Sequence, residues 1–92
     1  MSEYIEIETE LSDDGDIITF YTNLKLSVES SESYDSVEAM EEGSAVAQAL
    51  SEIDGILQLQ IIGKEMMITR DHQVPYHAIV ADVSNALKDF FL

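Results

Sequence analysis

The sequence predicts an α+β domain of two layers in the order β-β-β-α-β-β-α: a mostly antiparallel sheet with both helices on one face. Three observations carry this. Apolar and polar residues alternate with period two in "YIEIETE", "DIITFYT", "LKLSV" and across residues 56–69, the period of strands with one wet face. Apolar residues recur at helical spacing after Ser44 and again after Pro75. The helical stretches follow runs of strands, three strands before the first and two before the second, which is the order of an α+β domain with its helices on one face of the sheet. With 92 residues, 46% of them hydrophobic, one Pro and four Gly, the chain suits a single domain over 1–92 with one modest core.

Each element has a local reason. In the first strand Ile5 and Ile7 oppose Glu6, Glu8 and Glu10, and "SDDGD" supplies the turn that follows. The second strand sets Ile18 and Phe20 on one side and Ile17, Thr19 and Tyr21 on the other, close enough to the first to form a hairpin. Leu24, Leu26 and Val28 predict a short third strand. "ESSESYDSVEAMEEG" then loses all alternation and reads as a long acidic, Ser-rich connection with one helical turn at 37–40. Ser44 is suited to cap a helix whose buried side is Val46, Ala49, Leu50 and Ile53, and Gly55 is expected to end it. Strands follow at 56–62 and 65–69, joined near Gly63 and Lys64. Pro75 opens the last helix, with Tyr76, Ile79, Val80, Val83, Leu87 and Phe90 or Phe91 on its inner stripe.

Charge narrows the function classes. Nineteen acids against four bases give a formal charge of −15, which repels nucleic acid and anionic membrane surfaces. The imbalance is uneven: no base stands between Lys25 and Lys64, where Glu29, Glu32, Asp35, Glu38, Glu41, Glu42, Glu52 and Asp54 accumulate. No apolar run approaches the roughly 18 residues of a membrane span, and the acidic, alternating start is unlike a secretory leader. A cytoplasmic protein is expected. With no cysteine in the sequence, disulfides, thiolate nucleophiles, cysteine zinc sites and thiolate-held iron-sulfur clusters are excluded.

Within this frame "GSAVAQALSEIDGI" resembles a segment of the form SPLAQxLFxIxGV in the N-terminal domain of Nfu-type (NifU-like) iron-sulfur cluster biogenesis proteins. The likeness continues without a gap: "EMMITR" falls on that family's FITVTK-like strand, Tyr76 on its aromatic before the last helix, and "DIITF" on its NTLKF segment. The resemblance covers nearly the whole chain and implies the same order of elements and an accessory role in cluster biogenesis. There are departures. Ala45 stands where a proline is common, Ser51 and Glu65 where phenylalanines are, and "SDDGD" replaces a TPNPN-like opening. Longer family members hold the cluster on a CxxC pair in a separate C-terminal domain. These 92 residues contain no such pair, so cluster scaffolding is not carried over, and no cofactor is expected.

The remaining constellations are weak. Asp71, His72 and His77 are the nearest approach to a metal-ligand set, but the histidines are five apart across a proline, not the i, i+4 of a helical pair. Asp13 with Asp14, and Glu41 with Glu42, are adjacent carboxylates in Gly- and Ser-rich surroundings, without the unlike environments that separate an acid from a base. "EIDGI" lacks the alternating ligands of an EF-hand. Ser44 has no G-x-S-x-G elbow and is explained as a cap. Met66 and Met67 fall on opposite strand faces, so one joins the core and the other is free to share a surface with Ile62. No enzyme is expected. Glu38, Glu41, Glu42, Ile62 and Met67 are the predicted partner-binding residues of a docking adaptor whose partner is a protein with a basic patch, an iron-sulfur assembly protein on the family resemblance. Two other readings fit the same charge: an acidic regulatory module or nucleic-acid mimic unrelated to cluster assembly, and adaptation to high salt.

Overall fold

Two hairpins form the centre of the fold, as the alternation predicts. The computed structural model describes residues 6–23 and 31–91. In chain order the elements are β1 (Ile7–Leu11), β2 (Ile17–Thr22), β3 (Ser31–Tyr34), α1 (Val37–Glu41), α2 (Ala45–Leu50), β4 (Ile56–Ile62), β5 (Glu65–Arg70) and α3 (Tyr76–Phe91). They build one five-stranded sheet of order β1-β2-β5-β4-β3, antiparallel at every pairing. The β1–β2 and β4–β5 hairpins meet along β2 and β5, where Ile18 stands opposite Ile68 and Phe20 opposite Met66.

One face of this sheet is the core. Ile18, Phe20, Leu59, Ile61, Met66 and Ile68 are fully or almost fully buried against Met40 of α1, Val46, Ala47 and Leu50 of α2, and Ile79, Val83 and Leu87 of α3. The three described helices therefore cover the same face. Each such side chain contributes about 1.5–3 kcal/mol on full burial, which offsets the cost of ordering a small chain. The stripe on α3 is the predicted one, with Tyr76, Val80 and Phe91 packed against its margin. Of the two candidate aromatics, Phe91 turns inward while Phe90 is exposed and meets Phe91 edge-on at 4.9 Å.

The strand expected at 24–28 lies outside the described residues. Among those described, β3 is Ser31–Tyr34, inside what alternation and composition mark as a connection. "SESY" has little intrinsic strand preference. It is a strand because β4 offers a free edge to pair with, Ser31 opposite Ile62 and Tyr34 opposite Leu59, so tertiary pairing overrides local propensity. The helical turn expected at 37–40 is present as α1, its first turn capped by Ser36, whose hydroxyl accepts from the Ala39 amide at 3.2 Å.

The helix after Ser44 is shorter than predicted. Ser44 is its N-cap and accepts from the Ala47 amide at 3.3 Å, but α2 stops at Leu50, well before Gly55. The cause is Ser51: its hydroxyl donates to the Gln48 carbonyl at 2.6 Å, and its amide is shared between the Ala47 and Gln48 carbonyls. Such side-chain competition tightens and ends a helix. Gly55 then reverses the chain into β4 at φ +98, its carbonyl accepting from the Asp71 amide at 2.8 Å.

Candidate functional site

One face of the sheet carries no helix among the described residues, and register defines it. Across the strands its rows read Glu8, Tyr21, Glu65, Ile62, Ser31 and then Glu10, Thr19, Met67, Gln60, Ser33. Met67 sits on the middle strand. Its direct cross-strand partners are Thr19 and Gln60, and three of its four diagonal neighbours are apolar: Ile17 and Tyr21 on β2, and Ile62 on β4. Diagonal pairs lie about 7–8 Å apart, within reach of long side chains.

These side chains are open to solvent. Ile17 is 39% exposed, Tyr21 38% and Ile62 41%, while Met67 is half-buried among them. Leu57, at 49%, adds to the exposed apolar surface, because an irregularity in the β4–β5 pairing leaves it without a partner between Ile56 and Gln58. Beside Met67 is a shallow cavity of about 110 Å³ lined by Ile17, Gln58, Gln60 and Thr69. Alternation along β5 separates Met66 from Met67, and the structure buries Met66 and places Met67 with Ile62 on this face. Ile17 and Tyr21, which are not among the predicted partner-binding residues, join them there; their alternation with Ile18 and Phe20 is the signal in the sequence.

Carboxylates frame the patch. Glu8, Glu10 and Glu65 are exposed on the same rows. The Tyr21 hydroxyl donates to Glu10 Oε2 at 3.1 Å. This hydrogen bond first, then the charges of Glu10 and Glu65, holds the Tyr21 pKa above its ordinary 10.0. The other predicted contact residues, Glu38, Glu41 and Glu42, lie elsewhere. They are exposed on α1 and at its C-cap, on the helix-bearing side where Met40 enters the core. The predicted partner set thus lies on two surfaces.

At the end of the sheet the β1–β2 turn is fastened to β5. The Gly15 amide closes the turn on the Ser12 carbonyl at 2.9 Å, with Gly15 at φ +77. Asp14 accepts from the Ser12 hydroxyl at 2.7 Å and the Asp16 amide at 3.0 Å, and these bonds, the hydroxyl's first, lower its pKa. Arg70 Nη1 donates to the Gly15 carbonyl at 2.7 Å, the Arg70 amide to that of Asp16 at 2.8 Å, and His72 pairs with the Asp16 carboxylate. Of the three weak metal candidates, His72 is thus engaged by Asp16, Asp71 accepts from the Gln73 amide at 2.9 Å, and His77 is exposed in the first turn of α3. Among the described residues no three His, Asp or Glu side chains converge.

Comparison with solved structures bears on the architecture. A NifU-like protein from Saccharomyces cerevisiae superposes with a TM-score of 0.75 at 20% identity, covering 97% of this chain and 82% of that one. The fold is NifU-like. Protein SAV1430 from Staphylococcus aureus shares it with a TM-score of 0.70 at 8% identity, over 89% of this chain and 98% of that one. No family model matches the sequence, and neither does any curated protein. Across the NifU-like fold seen here, no helix among the described residues is long and apolar enough to cross a membrane.

Proposed function

We propose that this chain is a non-catalytic, cytoplasmic adaptor related to iron-sulfur cluster biogenesis, which docks on a protein partner and does not itself carry the cluster. The observation that supports this most is the NifU-like architecture built from 92 residues with no cysteine. Clusters are held by cysteine thiolates, assisted in some centres by histidine. The residues present do not fit that ligand set. What this chain offers an assembly protein is surface: a charge of −15 to draw in a basic patch and an exposed apolar face to seat it.

Charge steering makes the mechanism testable. Exposed charges are screened over about 8 Å at physiological ionic strength, so association with a basic cluster-assembly protein is fast at low salt and falls as salt rises. Immobilised protein should retain such a partner at low ionic strength and release it at high. Equal retention at both would remove the electrostatic part of the proposal. Competition with DNA or RNA on a nucleic-acid-binding protein would instead support the mimic reading.

A further inference from the structure

The adaptor reading leaves open which surface docks and what it receives. We infer that the helix-free face of the sheet, centred on Met67, binds a basic amphipathic segment of a partner protein, apolar side chains on Met67, Ile17, Tyr21 and Ile62 and lysines or arginines against Glu8, Glu10 and Glu65. This deepens the adaptor proposal and rests on it.

Geometry and charge select this occupant together. Apolar side chains grouped on an exposed face and rimmed by polar ones mark an interaction surface, and here register places three apolar diagonal neighbours around one residue. The shallow cavity beside Met67, about 110 Å³ with Ile17 and Met67 on its wall among polar side chains, leaves room for one anchoring side chain. A second copy of the chain is a poor occupant. Stacking two such faces would bring Glu8, Glu10 and Glu65 of each against the acidic surface of the other, each copy carrying −15. Phosphate-bearing ligands are opposed by the same field. Of the described bases, Arg70 is committed to the β1–β2 turn, Lys88 lies in the last turn of α3, and Lys64 sits in the β4–β5 turn at the corner of the face. A cationic partner therefore meets an apolar centre within an acidic frame.

Two synthetic peptides of equal length and charge test this, one alternating Leu with Lys and the other Ser with Lys, titrated at low salt into the isotopically labelled full chain. The Leu/Lys peptide should shift the amide resonances of β2, β4 and β5 around Met67. Replacing both exposed isoleucines (Ile17→Gln with Ile62→Gln) should weaken it about tenfold, to the level of the Ser/Lys peptide. Glu10→Gln with Glu65→Gln should flatten the salt dependence. Equal binding of the two peptides to the unaltered protein, or shifts centred on Glu38, Glu41 and Glu42 of α1, would overturn the assignment of this face, while salt-sensitive capture of a basic assembly protein would still uphold the adaptor reading. Broadening of the same resonances with protein concentration alone would give the face to a second copy and also overturn it.

Discussion

Gly55 joins three elements at one backbone position, so substituting it tests how they are packed. It lies between α2 and β4 at φ +98, and a Cβ added there would stand 2.8 Å from Ile79 Cδ1, 2.9 Å from Ile79 Cγ1 and 2.9 Å from Val74 Cβ. Two costs follow for Gly55→Ala. The left-handed conformation costs a non-glycine residue about 1–2 kcal/mol. Overpacking against a side chain buried in the core costs about 1–3 kcal/mol more. Gly63 provides the control: it is also left-handed, at φ +61, but nothing lies within 4 Å of an added Cβ, so Gly63→Ala bears only the first cost. Urea unfolding followed by circular dichroism should show Gly55→Ala losing about 1–3 kcal/mol more than Gly63→Ala, as a fall in midpoint at unchanged slope. Losses that agree within about 0.5 kcal/mol would refute the packing of α3 on this turn, that figure being the scatter expected of a harmless surface change.

Other consequences are read with similar tools. Ser44→Ala removes the cap acceptor for the Ala47 amide and should cost about 1 kcal/mol in the same urea experiment. Leu50→Ala empties a fully buried site where α2 meets the core and should cost about 2–5 kcal/mol. Tyr21 should titrate at higher pH than an ordinary tyrosine in phenolate absorbance, and Glu10→Gln should bring it back. Its pKa is raised on folding, so the associated stability is complete below about 10 and is lost as pH rises through the folded-state value. For Asp14 the direction is opposite: the lowered pKa adds stability above the unfolded value that is lost as pH falls, and Ser12→Ala should shrink that acid dependence.

Periodicity made most of the architecture legible because the core is regular. The alternation of Ile18 and Phe20 with Ile17, Thr19 and Tyr21, and the spacing of Ile79, Val83 and Leu87, follow directly from how strands and helices present side chains to one layer. β3 was not legible, because "SESY" becomes a strand through its partner β4 and not through its own pattern. The early end of α2 was not legible either, since a hydroxyl bonding to a carbonyl three residues back leaves no trace in apolar spacing. The surface was read halfway. The two faces of β5 separate Met66 from Met67, and both Met67 and Ile62 lie on the open side, but only the sheet order shows Ile17 and Tyr21 beside them. The acids of α1 stand out in the sequence by charge alone, and only the fold shows that they lie on the helix-bearing side of the sheet.

Iron-sulfide reconstitution of the purified chain under anaerobic conditions reaches the adaptor claim most directly. The protein should emerge from desalting colourless and without bound iron or sulfide, because it has no thiolate to hold them. A stable visible chromophore travelling with the chain would contradict the account.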